Sequence, residues 1–406
     1  KNLTTDQIDS FYRQAKIGTY ITCSGLITSS PAKGQEFEMK LTNYEIVGGS
    51  EDDYPLSKTR IKLDTLRCMP HLRPRTSTFG SVFRIRSTLM KAIHDFYHEK
   101  DFLHLDPNII TINECEGGAG VFQLTEHDLS NLKITDKYDW SKDHFNKPAY
   151  LTVSSQLQLE VLACSLGNVY TTNKSFRSEH SATNKHVSEF THLEIEIVNN
   201  TLDDLMDITE ETIRYCITKI LELRPKDLEN LNKFTSKGLI DRLNHLKDVE
   251  YVRLSYDNVI REINDEDEHK MEMLNYGDDL SSEHENYLTN KHGPIFVTHW
   301  PTDIKSFYMK QCDDGTCECF DFLMPNIGEL VGASQREDDY TKLATMMDRK
   351  NVSKEDLSFY LDMRKYGTCP HGGFGLGFER LLMLVTDMQN IKDVIPFPVY
   401  HKNCCY

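Results

Sequence analysis

The densest chemistry in the chain lies in Phe176-Arg177-Ser178-Glu179 and, after a short polar loop, Lys185-His186-Val187-Ser188-Glu189-Phe190-Thr191-His192-Leu193-Glu194-Ile195-Glu196. Arg177 and Glu179 stand on alternate residues of one stretch. The other returns a histidine, an aromatic ring and further carboxylates to the same neighbourhood. Such alternation reads as two strands joined by a basic loop. A guanidinium, an imidazole and a ring can grip phosphates and a base, while acids face an amine or an amide. The set suits a nucleoside triphosphate held against an amino acid.

Two more acids, Asp321 and Glu329, fall in apolar stretches on either side of a turn at Pro325-Asn326, and Ser334-Gln335-Arg336-Glu337 follows. An unpartnered buried acid is costly. Magnesium bridging triphosphate oxygens is one partner, because it takes one or two carboxylates besides phosphates; a structural salt-bridge cluster is the alternative. Arg336 can clamp a polar substrate side chain through its planar donors. A glycine-rich loop, Gly372-Gly373-Phe374-Gly375-Leu376-Gly377, runs into an apolar helix with Arg380 near its start, where a guanidinium can stack on a base and pair with phosphate. No Gly-Lys-Ser/Thr follows, so this is no Walker loop, and neither the preceding parallel strand nor the downstream acid of a dinucleotide fold is evident. Glu116, in the glycine-rich stretch 114–120, could take an amino group as that loop closes, though the stretch also reads as a plain surface turn. Gln156 opens a helix with Ser as its cap; it can donate to a carboxyl or accept from an amine, or be ordinary capping chemistry.

These side chains need a sheet to hold them. Strands and helices mix without regular β-α-β alternation, which predicts an α+β fold with an antiparallel sheet flanked by helices. Val82, Ile85, Leu89, Ile93 and Phe96 recur at helical spacing over 81–100, and Phe102 to Pro107 leads out as a strand. Leu202 to Leu223 is an amphipathic helix halted by Pro225. Residues 226–292 read as a polar helical insertion whose acidic run, Asp265-Glu266-Asp267-Glu268, is a solvated face. Near the N-terminus, 18–48 has strand-like alternation, and 50–78 is an extended connector rich in Pro and Arg.

With 406 residues, 39% hydrophobic, the chain can bury a large core in more than one domain. It has no apolar run long enough for a membrane span. The net charge of −17 argues against a broad nucleic-acid surface but leaves room for a local one. The 11 cysteines are an odd, scattered set, so reduced thiols are expected. Cys312, Cys317 and Cys319 have zinc-like spacing but lack a fourth ligand and read as thiols on a hairpin. Beginning at Lys1 rather than Met, the chain reads as starting inside a longer protein.

Taken in order, these stretches resemble the three motifs of the class II aminoacyl-tRNA synthetases. The helix 81–100 and strand to Pro107 are similar to motif 1, Phe176 to Glu196 to motif 2, and Gly373 to Leu384, with Gly375-Leu376-Gly377-Phe378-Glu379-Arg380, to motif 3. Local wording resembles the aspartate/asparagine/lysine subgroup, above all its asparagine branch, from about residue 18 onward. It includes Glu116-Gly117-Gly118-Ala119-Gly120, His71-Leu72-Arg73-Pro74-Arg75, Phe307-Tyr308-Met309-Lys310, Pro370-His371-Gly372-Gly373 and Asp393 to Pro398.

The resemblance implies a class II catalytic domain over 71–406, with the helical insertion near 226–292, and a partial OB-type barrel plus connector in 1–70. It implies that asparagine is activated with ATP and joined to its tRNA. Arg177 would hold the α-phosphate. His186 and Arg380 would meet the outer phosphates, Arg380 and Phe190 would sandwich adenine, and Asp321 and Glu329 would coordinate Mg2+. Glu116 and Gln156 would take the substrate amino group, and Glu179 and Arg336 would read the side-chain amide. The resemblance also implies a cytoplasmic homodimer joined through 81–107. Three departures stand out. Residues 1–17 look helical rather than like the first barrel strands; Gly332-Ala333-Ser334 replaces Gly-Gly-Ser; Val399-Tyr400-His401-Lys402 stands where the family has Arg. They keep two alternatives open: a tRNA-independent, ATP-dependent asparagine synthetase of the same fold, or a non-catalytic paralogue, against which intact Arg177, Glu179, Asp321, Glu329 and Arg380 speak.

Overall fold

Near the N-terminus β-forming residues pair locally. Helix α1 (Thr5–Gln14) starts at Thr4, whose side chain and that of Gln7 satisfy each other's backbone N–H in a capping box. It precedes β1 (Tyr20–Ser29) and β2 (Phe37–Gly48), an antiparallel pair closed by the turn containing Gly34. Phe11 packs edge-on against Tyr44, with ring centroids 4.9 Å apart, and so ties α1 to β2. The computed structural model describes residues 3–56, 61–112, 120–131, 138–181, 183–265 and 271–405, and the chain divides into a unit ending at Thr76 and a larger one beginning at Ser77.

The larger unit opens with α2 (Ser77–Glu99). Its Phe79, Val82, Ile85, Leu89, Ile93 and Phe96 are buried along one stripe, as their spacing predicts. At about 1.5–3 kcal/mol for each large apolar side chain buried, that stripe is what holds the helix down. The chain then runs through β3 (Leu103–His104), α3 (Gln156–Leu166), β4 (Val169–Phe176), β5 (Glu189–Val198), α4 (Leu202–Leu223), β6 (Val252–Ser255), α5 (Ser282–His292), β7 (Ile295–Thr298), β8 (Cys319–Met324), β9 (Gly328–Gln335), β10 (His371–Gly377) and α6 (Phe378–Thr386).

One eight-stranded sheet carries the site, in the order β3-β4-β5-β10-β9-β8-β7-β6. Its middle pairings are antiparallel, and a parallel pair closes each edge. This is the α+β architecture that the irregular alternation implied. α2 and α4 pack together, and the hydroxyls of Tyr97 and Thr212 meet at 2.9 Å in the interior between them.

Three local expectations need correction. The glycine-rich stretch is not a loop: it is β10, between β5 and β9. Glycine is required there because a Cβ at Gly373 would strike the Ile195 carbonyl and the Glu196 carboxylate. Residues 226–292 are not only helical, since Val252–Ser255 pairs with β7 and becomes the sheet's edge strand. Arg177 and Glu179 lie just beyond β4, although the Arg177 N–H still bonds the Ser188 carbonyl at 3.0 Å and continues the ladder by one step. Pro225 does halt α4, but it also occupies the first position of the next helix, Pro225–Phe234, where its missing N–H costs nothing.

Candidate active site

Two adjoining cavities open on one face of the sheet and share Arg177, His192, Glu329 and Gly375. The first, of about 140 Å³, is lined by Glu179, Lys185, His186, Phe190 and Arg380 besides the shared residues. The second, of about 350 Å³, is lined by Gln156, Glu194, Glu196, Lys305, Asp321 and Arg336.

The first cavity has a cationic rim and an apolar wall. The Arg177 guanidinium sits 5.5 Å over the Phe190 ring. Arg380, in the first turn of α6, is pinned by donating to the Glu329 carbonyl. Burial, with Arg380 beside it, lowers the His186 pKa, and Lys185 is lowered by burial too. The shifts favour the neutral imidazole of His186, a hydrogen-bond donor to an anion, and leave Lys185 a partly buried cation that an incoming anion would stabilise. Gly375 forms the floor: a Cβ there would come within 2.6 Å of His192 Nε2. α6 itself is locked in place by buried Glu379, which accepts from the Thr191 N–H at 2.9 Å and from Arg86 at 2.8 Å.

In the second cavity Arg336, only 4% exposed, donates to both oxygens of Glu196 and, at 2.8 Å, to Ser334 Oγ. Burial, opposed by Arg336 and reinforced by Glu160, lifts the Glu196 carboxyl to about 7. Behind the pair, Glu160 is fully buried and accepts from Tyr360 at 2.7 Å, Arg364 at 3.0 Å, His371 at 3.0 Å and Gln156 Nε2 at 3.0 Å. Burial alone would raise Glu160; the donors outweigh it and hold the acid well below the usual carboxylate range. Glu179, expected to read the amide together with Arg336, lines the neighbouring cavity, and the acids that engage Arg336 here are Glu196 and Glu160. Glu160 went unassigned in the sequence. The signal was there: an acid one helical turn from Gln156 on a helix of Leu, Val and Ala has to be buried and partnered. The cap of α3 also differs from expectation. Ser155 makes no side-chain cap bond; Glu194 accepts its N–H at 2.9 Å, while Ser154 Oγ accepts from Gln156 N–H.

Asp321 on β8 and Glu329 on β9 converge as expected. A Cβ at Gly332 would lie 3.3 Å from Glu329 Oε1 and 3.9 Å from Asp321 Oδ1, so both acids face the space that glycine leaves. Lys305 Nζ reaches Asp321 at 2.6 Å, yet burial and Glu329 still push Asp321 up to about 6. Two carboxylates, one of them paired with Lys305, are oxygen donors that could serve a divalent cation. Glu116 lies outside the described residues. Cys317 and Cys319 are buried thiols on the expected hairpin, where Cys312 N–H bonds the Thr316 carbonyl at 2.9 Å.

The sequence model of the class II tRNA synthetases (D, K and N) matches residues 62–401. The chain belongs to this family. The synthetase is 43% identical over 403 residues to the asparagine–tRNA ligase of Bacteroides fragilis, covering 97% of this chain and 86% of that one. Among solved structures it is similar to the asparaginyl-tRNA synthetase of Pyrococcus horikoshii complexed with asparaginyl-adenylate, at 30% identity and a TM-score of 0.85, over 98% of this chain and 86% of that one. The asparaginyl-tRNA synthetase of Entamoeba histolytica, also in complex with asparaginyl-adenylate, aligns at 27% identity and a TM-score of 0.82, over 97% and 86%. No helix of the synthetase among the described residues is long and apolar enough to cross a membrane.

Proposed function

We propose that this synthetase is an asparagine–tRNA ligase that joins asparagine to ATP as an aminoacyl-adenylate and passes the aminoacyl group to tRNA. The observation that carries the reading is the buried Arg336–Glu196 pair, a donor fork beside an acceptor, on the wall of a cavity joined through Arg177 to the cationic one. An amide offers one acceptor and one donor group and matches that pair; a carboxylate offers only acceptors and meets Glu196 with like charge.

In this reading ATP occupies the first cavity, with adenine between Phe190 and Arg380 and the outer phosphates near His186 and Lys185. Arg177, at the junction, neutralises the α-phosphate as the asparagine carboxylate attacks it in line and pyrophosphate leaves. Gln156 and Glu116 take the amino group. The tRNA hydroxyl then attacks the mixed anhydride. The protein's part is positioning and charge neutralisation. Asp321 and Glu329 would hold Mg2+, which supplies further neutralisation of the phosphates when bound. A homodimer paired through α2 and β3 is part of the proposal on family grounds, and sedimentation tests it.

ATP–pyrophosphate exchange with asparagine and with aspartate, followed by tRNA charging, tests the main reading. Exchange with asparagine plus charging supports it. Exchange with aspartate alone and an ammonia-dependent product would replace it with the synthetase-like alternative, and no exchange at all would point to a silent paralogue.

A further inference from the structure

Cys164, in the last turn of α3, and Cys369, two residues before β10, hold their sulfurs 3.8 Å apart, and both are free and partly exposed. His371 backs them; its ligating atom and theirs lie within 4.8 Å of one another. His371 Nδ1 donates to the Cys369 carbonyl at 2.8 Å and Nε2 donates to Glu160 at 3.0 Å. A carbonyl and an ionised carboxylate only accept, so both ring nitrogens carry protons and the ring is a cation. That removes His371 as a metal ligand and leaves two thiols, too few for a structural zinc site.

What remains is a thiol pair beside a fixed positive charge. Burial would raise the Cys164 thiol, but the nearby His371 cation and the hydrogen bond from the Cys369 thiol outweigh it and hold Cys164 below its ordinary value. Cys369 goes the other way: burial and the neighbouring sulfur push it up to about 11. Of the two sulfurs in contact, Cys164 is the more easily ionised and Cys369 the protonated partner, the division of roles that makes thiol oxidation selective.

We propose that Cys164 and Cys369 are an oxidative modification site, closed to a disulfide by a hydroperoxide, that lowers the affinity of the enzyme for its amino acid. The Cys164 thiolate attacks a peroxide oxygen; the O–O bond breaks, leaving Cys164 as a sulfenic acid and releasing hydroxide or alkoxide. The Cys369 sulfur then attacks the sulfenic sulfur; the S–O bond breaks and the hydroxyl leaves as water with the Cys369 proton. Two thiols are oxidised and one peroxide is reduced. Reaching a bonding distance of ~2 Å draws the end of α3 toward the start of β10, with His371 on one side of the new bond. His371 and Gln156 share Glu160, whose carboxylate also holds Arg364, so the movement reaches the wall of the amino-acid cavity.

The activity part rests on the ligase reading; the covalent part does not. The full-length enzyme is treated with hydrogen peroxide and digested without reduction, and exchange is measured before and after dithiothreitol. The expected result is a peptide containing Cys164 linked to one containing Cys369. A reversible rise in KM for asparagine of about fivefold or more, the low end of coupling between linked sites, accompanies it. Both are lost in Cys369→Ser and, as a second variant, in Cys164→Ser. Absence of the linked peptide, or a link that leaves KM unchanged, overturns the proposal. If the reduced enzyme shows no exchange with asparagine, the ligase reading fails while the peptide result still reports on the thiols.

Discussion

Arg336 and Glu196, 140 residues apart in the chain, form a buried ion pair on the wall of the second cavity, with Nε 3.3 Å from Oε2 and Nη2 bonded to Oε1. The pair joins the residue after β9 to the C-terminal part of β5 across β10, where the glycines leave room for it. Removing one partner of such a pair strands the other charge at a cost of about 3–5 kcal/mol, so a variant that tests recognition has to keep its shape.

Glu196→Gln does so. It retains an acceptor but loses the charge that draws the substrate amide. KM for asparagine in pyrophosphate exchange is expected to rise about tenfold or more, the loss of one charged hydrogen bond, with KM for ATP little changed. An unaltered KM for asparagine would move amide recognition away from Glu196.

The Glu196 carboxyl, raised to about 7, makes selectivity depend on pH. Above that value it is ionised and accepts from an amide N–H; below it, the acid is protonated and can donate to a carboxylate, which suits aspartate. The ratio of exchange rates for asparagine over aspartate is expected to fall as pH drops from about 8 to about 6. A flat ratio over that range would remove Glu196 from the discrimination.

Arg177 is the cation shared by both cavities. Arg177→Ala is expected to lower exchange by about a hundredfold or more, the usual cost of losing one group that stabilises developing charge, with an unchanged thermal midpoint. Near-normal exchange would refute its place at the α-phosphate.

Two glycines of β10 are expected to fail differently. At Gly373 a new Cβ meets the Ile195 backbone, which cannot move aside, so Gly373→Ala should lose about 1–3 kcal/mol or more from overpacking. At Gly375 the obstacle is the His192 ring; Gly375→Ala should fold but raise KM for ATP, because the added methyl thickens the floor of the first cavity. Urea melts and exchange kinetics on the two variants separate these outcomes, and equal stability losses would contradict them.

Much of the site was legible in the residues. The strand pair β4–β5, the acids on β8 and β9, and Arg380 at the start of α6 follow from local alternation, a turn and an apolar helix, all short-range signals. Gln156 was legible for the same reason. Glycine misled the reading of 372–377: it weakens a strand locally, and only neighbours on both sides, which exclude any Cβ, make a strand of it.

The sequence by itself therefore determined most of the elements and the motifs of the family, because periodicity and residue chemistry are written within a few residues of each other. Tertiary structure decided the partnerships: Arg336 with Glu196, Glu160 as the hub for Gln156, Arg364 and His371, Lys305 on Asp321, and Cys164 against Cys369. The physical reason is that a buried charge takes whatever counter-charge the packed sheet brings within hydrogen-bonding reach, and that distance is not encoded in any local stretch of chain.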